Sequence, residues 1–361
     1  MDEAAVRDRL RTVEDPELGE DIVSLGLVNE ITIDADGDVA IDLALGAPYS
    51  PTETGIAGAV RDAFAEDGID PDLSASIPGR DDSSEDAVLP NVKNVIAVAS
   101  GKGGVGKSTV AVNLAAGLSQ RGARVGLFDA DIYGPNVPRM VDADEPPMAT
   151  EDETLIPPEK YGVKLMSMAF LLGEDDPVIW RGPMVHKVIT QLTEDVEWGH
   201  LDYLVVDLPP GTGDTQLTML QTMPVTGSVI VTTPQDVALD DARKGLQMFA
   251  RHDTVVLGIA ENMATFVCPD CGGEHDIFGA GGGSAFADSH DLPFLGSIPL
   301  DPRVREGGDE GRPTVLDDEN ETGEAFRELT AAVANNTGIV HRRAVSESVQ
   351  DRTPPSDSSA H

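Results

Sequence analysis

The apolar run Val95-Ile96-Ala97-Val98-Ala99 leads into Ser100-Gly101-Lys102-Gly103-Gly104-Val105-Gly106-Lys107-Ser108-Thr109, and a helix-forming stretch, Lys107–Gln120, follows at once. The loop fits the pattern G-x-x-x-x-G-K-[ST], and its setting between a strand and a helix is the context that gives the pattern meaning. Glycines let successive backbone N–H groups face one point, and the helix N-terminus adds its dipole, so the turn is built to take phosphate. In such a site Lys107 neutralises β- and γ-phosphate charge, and the Ser108 hydroxyl is a ligand for Mg²⁺. Nucleotide binding is therefore the first expectation.

The surrounding chain has the grammar that such a loop needs. Short, largely continuous apolar runs recur at Val125–Phe128, Tyr203–Val206, Val229–Thr232 and Val255–Ile259, as strands buried on both faces should. Helical stretches at Met184–Val196 and Val237–His252 fall between them. This alternation predicts an α/β fold over residues 93–335, with a mainly parallel sheet flanked by helices. Residues 1–80 read as a separate, small α+β domain. Asp2–Val13 suits a helix, and Leu27–Ile33 and Val39–Leu45 alternate about Asp36-Gly37, a hairpin signal. Ser50-Pro51-Thr52-Glu53 opens a second helix with a capping Ser, and Ile56, Val60 and Phe64 give it an apolar face. Asp70–Asn91 breaks the pattern, and residues 81–92 are expected to be a linker. Residues 336–361, ending in a Pro- and Ser-rich stretch, are expected to form a disordered tail.

Charge narrows the partners. In 361 residues, 64 Asp and Glu oppose 25 Lys and Arg, a formal net charge of −39. Such a surface opposes duplex DNA and anionic membranes as partners. No apolar run approaches the roughly 18 residues of a membrane span, and Met1-Asp2-Glu3 opens no signal peptide, so a cytoplasmic protein is expected. The acids are dispersed rather than gathered in a tail, and there are only seven lysines. Both features resemble proteins of extreme halophiles. Two cysteines exclude a disulfide scaffold.

Acids at strand ends supply the rest of a phosphate site. Val125–Phe128 closes on Asp129-Ala130-Asp131, and Leu204-Val205-Val206 on Asp207, followed by Leu208-Pro209-Pro210-Gly211-Thr212-Gly213-Asp214. Carboxyl ends of parallel strands are where open α/β sheets bind ligands. Asp207 and Asp131 are the favoured candidates for Mg²⁺ and water positioning, with Asp129 third. Gly211 is placed to bend a loop that senses the γ-phosphate.

Cys268 and Cys271 stand in Phe266-Val267-Cys268-Pro269-Asp270-Cys271-Gly272-Gly273. C-x-x-C serves dithiol redox chemistry, half a zinc site or half an iron–sulfur site. Redox pairs usually open a helix, whereas the glycines here predict a loop. One pair is two ligands short of a four-thiolate site. His275 is a candidate third ligand, though a solvent-facing loop histidine is commoner, and two chains meeting at a twofold axis would complete four thiolates without it. Residue chemistry leaves zinc and iron–sulfur both open. His186, His252 and His290 are scattered and carry no assignment.

Lys102, a second lysine inside the loop, resembles the deviant Walker A of the MinD/ParA/NifH class. Asp129-Ala130-Asp131-Ile132-Tyr133-Gly134-Pro135-Asn136-Val137-Pro138, Asp207–Asp214, Glu261-Asn262-Met263 and the cysteine pair together resemble the Mrp/ApbC family of ATP-binding iron–sulfur carriers, over roughly Asn91 to Asn335. That resemblance implies a dimerising P-loop NTPase fold, slow ATP hydrolysis and a [4Fe–4S] cargo passed to apo iron–sulfur proteins with cluster assembly factors as partners. It implies that residues 101–109, with Asp129, Asp207 and Gly211, bind nucleotide and that Ser108 and Asp207 hold Mg²⁺. It further implies that Asp131 positions water, Asn262 reads adenine, Lys102 reaches the partner subunit's nucleotide, and Cys268 and Cys271 hold the cluster. Pro299-Leu300-Asp301-Pro302-Arg303-Val304-Arg305-Glu306 resembles another family loop, without a derived role. Asp15-Pro16-Glu17-Leu18-Gly19 and Ile22–Val28 liken the first domain to the SufT/PaaD-related domain. Relatives often carry Cys where this chain has Ser50, so docking of partner proteins is the role expected there. The rival is a ParA/MinD-like switch without a cluster. The C-x-x-C pair has no use in that rival.

Overall fold

The computed structural model describes residues 1–77, 88–132, 134–143, 145–152, 154–171, 182–268 and 271–352. It divides into two compact units, Met1–Asp81 together with Ala334–His361, and Asp82–Val333.

In the first unit, α1 (Glu3–Leu10) starts where the Asp2 carboxylate accepts the Ala5 N–H at 2.9 Å. Strands β1 (Val28–Ile33) and β2 (Val39–Leu43) pair antiparallel about a turn tied by Asp34, whose carboxylate accepts the N–H groups of Asp36 and Asp38. Helix α2 (Pro51–Ala65) has the expected cap, Ser50 Oγ accepting from Glu53 N at 3.2 Å. Strand β3 (Asp72–Ala75) pairs parallel to β2, within the segment expected to break the pattern. It escapes sequence reading because it is short and largely exposed. Val6, Leu10, Ile22, Leu27, Ile41, Leu43, Val60 and Phe64 form the core.

The second unit carries β4 (Val95–Ala99), α3 (Lys107–Gln120), β5 (Val125–Asp129), α4 (Val137–Met140), the hairpin β6 (Met148–Ala149) and β7 (Leu155–Ile156), β8 (Glu159–Lys160), β9 (Val163–Ser167), α5 (Gly182–Glu194) and β10 (Tyr203–Asp207). It continues through α6 (Asp214–Thr222), β11 (Gly227–Thr232), α7 (Asp236–Arg251), β12 (Val256–Glu261), the hairpin β13 (Phe266–Val267) and β14 (Glu274–His275), α8 (Gly282–Ser289), β15 (Phe294–Ser297), α9 (Pro302–Asp309) and the start of α10 (Glu321–Arg352), whose residues from Ala334 on belong to the first unit. The main sheet has the order β15-β12-β11-β4-β10-β5-β9-β8, parallel except for the edge strand β8. Every residue of β4, β5, β10 and β11 is buried, which is why these strands read as continuous apolar runs. The chain leaves β4 toward β5 on one side and later continues to β11 on the other, so the crevice beyond β4 is the switch point of the sheet.

Two boundary expectations change. Residues 81–87 of the expected linker lie outside the described residues, but Leu89 and Val92 are buried and Val92 bridges Leu201, so 88–92 belong to the second unit. The expected tail is helical as far as Arg352, because α10 has buried positions there, among them the charged Arg342 and, in the first unit's core, Val345. Residues 353–361 lie outside the described residues. No described helix is long and apolar enough to cross a membrane.

Candidate functional site

The glycine-rich loop joins the end of β4 to the start of α3, with Gly101 and Lys102 half-buried, Gly103 and Gly104 exposed, and Val105 buried. Gly106 caps the helix at φ +83°, and a Cβ there would stand 2.0 Å from Asn262 Nδ2. Only glycine meets both demands. Asn262 is buried at the exit of β12, and its side-chain amide donates to the Val105 carbonyl at 2.9 Å. It thus braces the loop. It also lines a cavity of about 350 Å³ with Thr109, Met263, Arg139, Leu300 and Val304, beside the first turn of α3. A nucleobase fits a space of that kind next to a phosphate loop.

Lys107 is buried, and its Nζ donates to Asp207 Oδ1 at 2.5 Å and lies 3.3 Å from Ser108 Oγ. Asp207 closes β10 and stands opposite Asp129 at the end of β5. Burial pushes the Asp207 carboxyl above its ordinary range, and the Lys107 ammonium pulls it back only in part. At Asp129, burial and then repulsion from Asp207 raise the pKa to about 7, against the hydrogen bond from Ser167. Asp129 Oδ2 accepts from Ser167 Oγ at 2.8 Å and from Val137 N at 3.2 Å, and its Oδ1 accepts from Asp131 N at 3.2 Å. Asp131 is half-buried, and its carboxylate accepts from Gly134 N at 3.3 Å. Gly211, at φ +96°, donates its N–H to the Ser100 carbonyl at 3.0 Å and so ties the loop after β10 to the phosphate loop. The Asp207 Oδ2 atom is buried without a hydrogen-bond partner among the described residues. An orphaned carboxylate oxygen beside the Ser108 hydroxyl is the hard-oxygen donor set that suits Mg²⁺.

The cysteines lie on the β13–β14 hairpin, as the glycines predict. Cys268 N donates to the Gly273 carbonyl at 2.9 Å and Gly272 N to the Cys268 carbonyl at 2.8 Å. Cys268 is half-buried, Cys271 is exposed, and no disulfide joins them. His275 is exposed on β14, and among the described residues no third His, Cys, Asp or Glu joins the pair into a metal-binding group. Pro269 and Asp270 lie outside the described residues, as does Tyr133 of the Asp129–Pro138 motif. The structure therefore gathers the loop, the three acids and Asn262 at one end of the sheet, with the cysteines on a separate projection.

This arrangement has a family. A model of NUBPL iron-transfer P-loop NTPases matches residues 91–334. The chain belongs to that family. A second model, of an iron–sulfur cluster assembly protein, matches residues 3–67. Among relatives of the NUBPL-family chain, an iron–sulfur cluster carrier protein of Synechocystis sp. is 44% identical over 345 residues, spanning 93% of this chain and 98% of its own. A nucleotide-binding protein of Archaeoglobus fulgidus, solved in complex with ADP, superimposes with a TM-score of 0.56 at 41% identity, over 62% of this chain and 88% of its own. The cell division ATPase MinD of Pyrococcus furiosus gives a TM-score of 0.52 at 24% identity, over 67% of this chain and 98% of its own, a likeness of fold alone. The ParA/MinD-like rival is not favoured.

Sequence reasoning assigned no role to three contributors. Ser167 ends β9 as Asp129 ends β5, so a polar residue closing an apolar strand was the available signal. Gln216 is buried on α6, and its side-chain amide donates to the Pro209 carbonyl in the loop after β10. Glu261, buried at the end of β12, accepts from Gly283 N at 2.5 Å and from Ser297 Oγ at 3.3 Å, fastening α8 and β15 beside Asn262.

Proposed function

We propose that this chain is an ATP-hydrolysing carrier that holds a [4Fe–4S] cluster between two copies of itself and passes it to apo iron–sulfur proteins. The observation that carries the reading is a pair of thiols, Cys271 exposed and Cys268 half-buried, on the same unit as a complete phosphate loop, in a chain whose family is one of iron-transfer NTPases. In this reading the backbone amides of residues 103–107 cradle the phosphates, and Lys107 exchanges Asp207 for β- and γ-phosphate oxygens. Ser108 and Asp207 would hold Mg²⁺, which when bound supplies positive charge against the phosphate oxygens. Asp131 orients the attacking water, and Asp129 holds the Asp131 backbone in place. Lys102 reaches the nucleotide of the partner subunit, and Asn262 with the adjoining cavity receives adenine.

A four-iron cluster needs four thiolates and each chain has two, so a homodimer is part of the proposal. The first unit docks recipient or assembly proteins, with Ser50 as a helix cap rather than a ligand. The setting in this reading is cytoplasmic and rich in salt, the latter supported by the charge of −39.

Anaerobic reconstitution with iron and sulfide tests the carrier directly. The expected product is brown, with about four irons and four sulfides per dimer. Cys268→Ala or Cys271→Ala should each abolish it while nucleotide binding persists. A colourless protein with about one metal per dimer identifies zinc instead. A cluster retained after both cysteines are replaced refutes the proposal.

A further inference from the structure

Two stretches of chain run side by side from the nucleotide cavity to the cysteine hairpin, and their geometry links the two sites. The first leaves Asn262, which grips the Val105 carbonyl, and reaches Cys268 through Met263, Ala264, Thr265, Phe266 and Val267. The second is Ile298–Asp301, the start of the Pro299–Glu306 motif. They pair as strands do: Ala264 N donates to the Ile298 carbonyl at 3.0 Å, Leu300 N donates to the Thr265 carbonyl at 3.0 Å, and Phe266 bridges Leu300. Met263 and Leu300 both line the cavity of about 350 Å³.

Three features make the pair a lever rather than a fixed wall. Met263 turns at φ +55°, a left-handed conformation that a side chain other than glycine adopts at a cost. The Pro299–Asp301 stretch is a partition, with the nucleotide cavity on one side and a cavity of about 510 Å³, lined by Val267, Pro302, Arg303, Glu306 and Thr322, on the other. Pro299, Leu300 and Asp301 are only half-buried, so open space borders the stretch on both sides. Its far end is anchored, because the Asp301 carboxylate accepts from Arg303 N at 2.9 Å and Thr322 Oγ1 at 2.8 Å and pairs with the Arg303 guanidinium at 2.8 Å.

We propose that this strand pair, with Met263 and Leu300 as positioning residues, transmits occupancy of the base cavity to the Cys268–Cys271 hairpin. A base seated against Met263 and Leu300 fixes the partition, and the pairing at Thr265 and Phe266 carries that restraint to the hairpin. The thiols then become less accessible to attack. The inference rests on the nucleotide reading above and adds a route by which nucleotide regulates the cysteines.

The test uses the full-length, reduced, cluster-free protein and follows iodoacetamide alkylation of each cysteine by mass spectrometry. Saturating ADP should slow alkylation of Cys271 by about fivefold or more, the lower end of ordinary allosteric coupling. Inorganic tripolyphosphate, which engages the phosphate loop without a base, should leave the rate unchanged. Inserting two glycines between Val267 and Cys268 lengthens the hairpin loop outside the nucleotide cavity, and should preserve ADP binding while removing the ADP effect on alkylation. An unchanged rate with ADP shown to be bound overturns the inference alone. So does an equal effect of tripolyphosphate, or an undiminished ADP effect in the insertion variant. Absence of ADP binding overturns the nucleotide reading and the inference together.

Discussion

Lys107 Nζ lies 2.5 Å from Asp207 Oδ1, with both side chains buried. The lysine of the phosphate loop is thus also the counterion of a carboxylate that the sheet has taken out of water. Removing one partner of a buried pair costs about 3–5 kcal/mol because the other is left uncompensated. Lys107→Ala should therefore lower thermal stability as well as reduce ATP turnover by at least about a hundredfold. Adding Asp207→Asn should restore much of the stability and none of the turnover. Measuring melting and hydrolysis on the single and double variants separates the two roles, and wild-type turnover by Lys107→Ala would remove it from the site.

Asp129 gives a pH dependence with a definite sign. Its carboxyl is raised from an ordinary 3.8 to about 7 by burial and by Asp207. Between those values the folded protein binds a proton that the unfolded chain has released, so this group's contribution to stability falls as pH rises from about 4 to about 7. Asp129→Asn carries no such proton. Relative to wild type it should be more stable at pH 8 than at pH 5, in thermal melts without nucleotide. An equal difference at the two pH values would show that Asp129 is ionised throughout.

Lys102 contrasts with Lys107. It is half-buried, and among the described residues its ammonium has no carboxylate within ion-pair reach. Lys102→Ala should leave stability within about 0.5 kcal/mol of wild type, as for a surface change, and should lower hydrolysis more than ADP affinity. Mixing it with a Lys107→Ala chain should partly restore turnover, since one composite site regains both lysines. No rescue in a mixture shown to exchange subunits would argue against action across the dimer.

What could be read in the chain beforehand was what is local. The loop and its helix were legible because a glycine-rich turn between strand and helix is a short-range pattern, and Lys107–Gln120 has the expected bounds. Asp129 and Asp207 were legible as acids that close apolar runs. The double role of Lys107 was not, because the hundred residues to Asp207 are spanned only when β4 and β10 pair. The C-terminal helix was hidden for the same reason: Arg342 reads as a tail residue until the acids near residues 15 and 53 are brought to it. Asn262 was marked by resemblance, but its grip on the Val105 carbonyl depends on strand order.

The acidic surface predicts salt dependence. At 1 M salt the Debye length is about 3 Å, so repulsion among the charges behind the net −39 is largely screened. Melting temperature should rise steadily from dilute buffer to molar KCl. A flat profile would leave the charge without a role in folding.

The last prediction concerns the first unit. Arg342 is fully buried among three acids: its Nε donates to Asp15 Oδ2 at 2.6 Å, one terminal nitrogen donates to Glu53 Oε1 at 3.0 Å, and the other bonds Glu17. Glu53 also accepts the Ala47 N–H at 2.8 Å, and burial holds its carboxyl above the ordinary range despite the guanidinium. One cation therefore serves three carboxylates drawn from two distant stretches of sequence. Arg342→Ala would leave them facing one another and should destabilise the first unit by about 3–5 kcal/mol. The loss should be smaller at pH 5 than at pH 8, because a carboxyl with a raised pKa takes up a proton as pH falls and relieves the repulsion. Hydrogen exchange in residues 1–77 and 334–350 of the full chain would register it, while ATP turnover should change far less. Unaltered exchange in the variant would mean that apolar packing of α10 at Val345 suffices to hold this end of the helix.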